Sequence, residues 1–208
     1  MFATMHAVTG VPGPLDEAWA EDLAAAVHAA GPAAGVLVGR RLSLGEGMLI
    51  ALWAEAEDAD RALATLPARL TTTSGTEVGL EAGRLLEVTR RREPVTLGAG
   101  RPRYAQITAF AGPRDEAWVR AVDRADDERI WPVVRTVPGQ QGALTLEERD
   151  GGRVIVALSE SVEACEEAVR RVLSTPLLPG EDPAQLTGPD HVDVQRLLVA
   201  DLPARVTG

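Results

Sequence analysis

Lysine and asparagine are absent, so the 21 basic residues other than histidine are all arginine. No lysine is therefore available to form a Schiff base with a carbonyl substrate or with pyridoxal phosphate, or to complete a phosphate-binding loop. A genome rich in G and C accounts for both absences, and the chemical exclusion holds whatever their cause. Cysteine occurs once, as Cys165, which rules out an intramolecular disulfide framework and favours a reducing compartment. No apolar run approaches the ~18 residues of a membrane span, and Met1 to Val8 lack the basic start and apolar stretch of a secretory signal. A cytoplasmic protein with no membrane partner is expected. Aromatic residues are scarce: four Trp, two Phe and one Tyr.

What is present is a chain of 208 residues, 45% hydrophobic, long enough for one large domain or two of about 100 residues. Either can bury a core without metal or disulfide staples. The formal net charge of -10 repels a phosphate backbone unless arginines cluster on one face. Arg90, Arg91 and Arg92, with Arg101 and Arg103, form the densest basic stretches, and Tyr104 at their edge is the only aromatic beside them. Solvated charge is the ordinary state of such runs, so no nucleic-acid partner is expected.

The chain repeats itself. Gly13-Pro14-Leu15-Asp16-Glu17-Ala18-Trp19 recurs as Gly112-Pro113-Arg114-Asp115-Glu116-Ala117-Trp118, with a single position changed. Upstream, the strand-like Phe2-Ala3-Thr4-Met5-His6-Ala7-Val8 matches Tyr104-Ala105-Gln106-Ile107-Thr108-Ala109-Phe110, and downstream Arg84-Leu85-Leu86 matches Arg196-Leu197-Leu198. In the first copy Leu15, Ala18, Trp19, Leu23, Ala26, Val27 and Ala30 recur at helical spacing. Asp16 and Glu17 suit that helix's positive end, and Gly31-Pro32 stops it. Apolar runs at 35–41 and 48–54 predict a hairpin, Ala59, Ala62, Leu63 and Leu66 a second helix, and 84–90 a fourth strand.

The second copy follows the same order. Its first helix extends from Asp115 toward Trp131, where Pro132 ends or kinks it. Asp150-Gly151-Gly152 forms a tight turn between strands at 143–149 and 153–158. Val162, Ala168, Val169, Val172 and Leu173 mark the second helix, and a last strand covers 192–200. The predicted fold is α+β: two tandem ferredoxin-like β-α-β-β-α-β units at 1–94 and 104–208, joined by a linker at 95–103.

Two further motifs carry a family resemblance over nearly the whole chain. Pro138-Gly139-Gln140-Gln141-Gly142-Ala143-Leu144 precedes a strand, and Trp53-Ala54-Glu55-Ala56-Glu57-Asp58-Ala59 joins a strand to a second helix. In their order and recurrence these resemble the dimeric α+β barrel superfamily, and within it the antibiotic-biosynthesis monooxygenase branch. The resemblance implies an intrachain dimeric α+β barrel, a pseudo-dimer within one chain, with a further homodimer left open. It also implies a cofactor-independent monooxygenase-like enzyme acting on a hydrophobic aromatic or polyketide-type small molecule, which binds between the sheet and the helices of one unit. The alternative from another class is a non-catalytic small-molecule binding or carrier protein.

Four residues are site candidates. His6, on the first strand, has the ordinary pKa of a general base near neutrality, and a hydrogen-bonded core histidine is the competing role. Trp53 offers a stacking surface or core bulk; the residue in the same place in the second copy is read as Leu158, and that matching His6 as Thr108. Trp131 has no counterpart in the first copy and is a candidate lid or pocket aromatic, while Tyr104 adds a hydroxyl where Phe2 has none. Trp19 and Trp118 recur together and read as core. Cys165 reads as inert packing. With His6, His28 and His191 far apart and no paired cysteines, neither a metal site nor a cofactor is expected. The haem-degrading relatives carry a histidine on the second helix, and neither second helix here has one.

Overall fold

In the computed structural model, residues 1–13, 17–42, 45–93, 101–184 and 186–202 are described. Leu15 and Asp16 of the predicted first helix, and 95–100 of the predicted linker, lie outside them. In chain order the elements are β1 (Phe2–Thr9), α1 (Ala18–Ala30), β2 (Ala33–Arg41), β3 (Glu46–Trp53), α2 (Ala56–Thr65), β4 (Arg69–Thr71), β5 (Glu77–Leu80) and β6 (Arg84–Arg92). There follow β7 (Tyr104–Phe110), α3 (Glu116–Ala125), a π-helical turn (Asp126–Ile130), α4 (Trp131–Val134), β8 (Gln140–Glu147), β9 (Arg153–Ser159), α5 (Val162–Ser174) and β10 (His191–Asp201). No described helix is long and apolar enough to cross a membrane.

The chain divides into two compact units, Met1–Val88 with the chain from Val194, and Thr89–Asp193. The divisions fall inside β6 and β10. In the first unit β1 pairs with β3 and β6, and β2 pairs with β3 and β10, all antiparallel. Helix α1 buries Trp19, Ala20, Leu23, Ala24 and Val27 on one face, which packs on the alternate residues Val8, Leu49, Ala51 and Trp53 of the sheet. A short hairpin of β4 and β5 lies in the segment that showed no periodicity, because three- and four-residue strands are too brief for alternation to register.

In the second unit β9 lies between β7 and β8. Asp115 caps α3 by accepting from the Trp118 amide at 2.7 Å, and Ser161 caps α5 by accepting from the Ala164 amide at 3.2 Å. Gly151, at φ +85°, supplies the left-handed residue of the β8–β9 turn. Pro132 does not end the helix. The Trp131 amide instead bonds back five residues to the Asp126 carbonyl, so the helix widens just before the proline, which has no amide to place and whose ring crowds the carbonyl four residues earlier.

Strand register changes one comparison between the copies. Phe2 pairs with Trp53 in β1–β3, and Tyr104, which aligns with Phe2, pairs with Ser159 in β7–β9. Ser159, not Leu158, therefore occupies the place of Trp53; side chains alternate along a strand, so a slip of one residue exchanges the two faces. The second hairpin strand keeps the correspondence, with a register shift between Ala33 and Gly35 in β2 and between Gln140 and Gly142 in β8.

Candidate functional site

The two units differ in what stands at the Trp53 and Ser159 positions. In the first unit the Trp53 indole is wholly buried in the core, its Nε1 donating to Thr4 Oγ1 at 3.2 Å. In the second unit the sheet and helices enclose a chamber of about 340 Å³. Its floor comes from alternate residues of three strands: Gln106, Thr108 and Phe110 of β7; Arg153, Ile155, Ala157 and Ser159 of β9; Ala143 and Thr145 of β8. Its roof comes from Val122 of α3, Asp126 and Ile130 of the π turn, Trp131, and Cys165, Ala168, Val169 and Val172 of α5. A second cavity of about 580 Å³ shares Phe110, Val122, Ile130, Val172, Leu173 and Pro189 with the chamber and is lined further by residues 174–177 and 186–187.

Trp131 stands in the chamber wall, 8% exposed, its ring 5.8 Å from the Arg92 guanidinium. The apolar face of α5 read from the sequence is only partly covered: Val169 and Leu173 are exposed, as is Val192, and all three border the chamber. Their exposure follows from the open space beside them. Tyr104 lies on the same strand face as Gln106 but does not line the chamber.

The charged groups at the chamber are already engaged. Asp126 is bound by Arg92 at 2.6 Å and by Arg90 at 3.4 Å, and the Arg92 guanidinium holds the neighbouring Asp127 carboxyl below the usual carboxylate range. Arg153, nearly fully buried, pairs with Glu147 and approaches Asp123 at 2.9 Å, close enough for an ion pair although that Asp123 oxygen is not aligned for a hydrogen bond. Gln140 and Ser159 serve each other: Ser159 Oγ donates to Gln140 Oε1 at 3.2 Å, and Gln140 Nε2 donates to the Gly142 carbonyl at 2.9 Å. Burial pushes the Cys165 thiol up, which keeps it protonated and a poor nucleophile.

His6 belongs to the first unit. Its Nδ1 lies 3.1 Å from the Glu81 carbonyl, so that nitrogen carries the proton and donates. The other, Nε2, is buried with no partner, against Gly83, where a Cβ would fall 2.2 Å from His6 Cε1 and 2.5 Å from Leu63 Cδ2. Burial pushes the imidazole below its ordinary value, partly opposed by the Glu81 bond. Of the four candidates, Trp131 stands at the chamber, while His6 and Trp53 sit in the other unit and Tyr104 outside the lining. Among the described residues no three His, Cys, Asp or Glu side chains converge as metal ligands. Reading by motif missed Gln106, Thr108 and Thr145; the signal that could have found them is the alternation of polar residues on strands whose neighbours are apolar.

No protein-family model matches the sequence, and no curated protein matches it. Among solved structures, the fold is similar to that of a candidate monooxygenase from Fusobacterium nucleatum, with TM-score 0.64 and 7% identity over 99% of this chain and 96% of that chain. It is also similar to an anthrone oxidase-like protein, with TM-score 0.58 and 15% identity over 99% and 95%, and to a candidate monooxygenase from Lactobacillus acidophilus, with TM-score 0.55 and 11% identity over 98% and 97%. At such identities the likeness is one of fold alone, a mixed α+β fold shared with these structures.

Proposed function

We propose that the chamber of the second unit binds a hydrophobic aromatic or polyketide-type small molecule, and that the chain acts on it as a cofactor-independent monooxygenase-like enzyme. The observation that carries this reading is the chamber itself, an apolar space with a few convergent polar groups, present where Ser159 stands in place of Trp53. The monooxygenase-like fold supports the reaction class. We read the architecture as two tandem ferredoxin-like units forming a pseudo-dimer, supported by the shared strand register, the shared register shift and the repeated Gly-Pro-x-Asp-Glu-Ala-Trp motif.

An anthrone fits the chemistry. Loss of a proton from its methylene to solvent water leaves charge on the carbonyl oxygen, which the N–H and O–H groups of Gln106, Thr108 or Thr145 would stabilise. Reaction with O2 then converts the CH2 to C=O and releases one water, giving the quinone without an added cofactor. A second reading, a non-catalytic binding or carrier protein, is favoured by one observation: Asp126 and Arg153 are ion-paired and Cys165 is held protonated, so none of these groups is poised as a base.

The test follows oxygen uptake and quinone absorbance with an anthrone, alongside quenching of tryptophan fluorescence. Uptake above the uncatalysed rate, lost in Ser159→Trp where an indole fills the chamber, supports the enzyme. Quenching without uptake selects the carrier, and neither in the wild-type protein overturns both.

A further inference from the structure

We propose that the chamber selects a flat, fused-ring ligand bearing hydrogen-bonding oxygens on two opposite edges, held by Thr108 on one side and Thr145 on the other. The inference rests on the chamber reading above and names the ligand chemistry that it takes. Thr108 and Thr145 both pair with Ile155 of the central strand, so the three side chains form one row across the floor. Neighbouring strands lie about 4.8 Å apart, which places the two threonine backbones about 10 Å from each other with Ile155 between.

The adjacent row is Gln106, Ala157 and Ala143, in which two alanines leave depth for a ring system above the sheet. Other polar groups of the floor are taken, Gln140 with Ser159 and Arg153 with Glu147. Gln106 Nε2 donates to Thr108 Oγ1 at 3.4 Å, which turns the Thr108 hydroxyl into a donor toward the chamber. Thr145 is buried, 5% exposed, and faces the same space. In the first unit the same register positions hold His6 and Val38, so the pair of hydroxyls occurs only in the unit with the chamber. A hydrocarbon would leave both hydroxyls facing apolar surface, which disfavours it.

The test uses the full chain and three probes: naphthalene-2,6-diol, with oxygens on opposite edges, naphthalene-2,3-diol, with both on one edge, and 2-naphthol. Dissociation constants are read by fluorescence titration. The 2,6-diol is expected to bind about two- to twelvefold more tightly than the 2,3-diol, the range for one added neutral hydrogen bond. That preference is expected to vanish in both Thr108→Val and Thr145→Val, which keep the shape and remove the hydroxyl. Retained 2-naphthol binding in at least one variant shows that the chamber is still folded. Equal affinity for the two diols, or a preference that survives in both valine variants, overturns the inference. Absence of binding by all three probes overturns the chamber reading, and this inference with it.

Discussion

Replacing Trp53 by alanine tests the claim that its indole is core bulk in the first unit and not a ligand-stacking surface. The indole is fully buried, its Cζ3 would lie 3.3 Å from a Cβ placed on Gly31 at the end of α1, and its N–H satisfies the Thr4 hydroxyl. Loss of a buried Trp costs about 3–5 kcal/mol through transfer and cavity terms, and the unpartnered Thr4 adds about 1 kcal/mol. The expected total, about 4–6 kcal/mol, is a large share of the 5–15 kcal/mol that stabilises typical domains. Equilibrium urea unfolding measures the loss. Because the variant creates an aromatic-shaped hole, added indole should restore stability, by about 2.7 kcal/mol at a concentration 100 times its dissociation constant. A loss below about 1 kcal/mol, or no response to indole, would refute the core role and reopen ligand stacking at Trp53.

Two further outcomes follow. The buried, neutral His6 has its pKa lowered from 6.5, so the unfolded chain binds its proton first as pH falls; stability is full above about pH 6.5 and declines below it. His6→Gln, which keeps a donor for the Glu81 carbonyl and cannot titrate, should flatten the urea midpoint between pH 7.5 and 5.5, and an unchanged slope in the variant would remove His6 as the cause. Expressed alone, residues 1–94 lack β10, which pairs along β2 and contributes Leu198 and Val199 to the first core, so this half should associate or precipitate. Light scattering that finds a folded monomer of residues 1–94 would contradict the mutual dependence of the halves.

Much of the secondary structure is legible in the sequence because the local signals agree with one another. Helical spacing through Trp19, Leu23 and Val27 and the Asp150-Gly151-Gly152 turn are such signals, and the elements fall where those residues place them. Element ends depend on less. The hairpin of β4 and β5 escaped because its strands are shorter than a readable period. Of the two outcomes expected at Pro132, a helix end or a kink, the helix does not end but widens through a π turn, beside the packing of Trp131, Val134 and Ala143.

The chamber was hidden for a different reason. Two units with similar strand order do not reveal by composition alone where a cavity lies. The inward-facing side chains differ at several register positions, with Trp53 in one unit and Ser159 in the other the largest change in volume, and register is a property of pairing between strands. Assigning Leu158 to that position by sequence spacing placed an apolar residue on the inward face and concealed the difference. On the same face as Ser159, polar residues that no sequence motif singles out form a floor: Gln106 and Thr108 from β7 and Thr145 from β8. The exposed Val169 and Leu173 then read as the margin of a space sized for a ligand. A candidate site in a chain of two similarly ordered units is thus found by asking where the units differ in the side chains they carry inward, after each strand has been put in register.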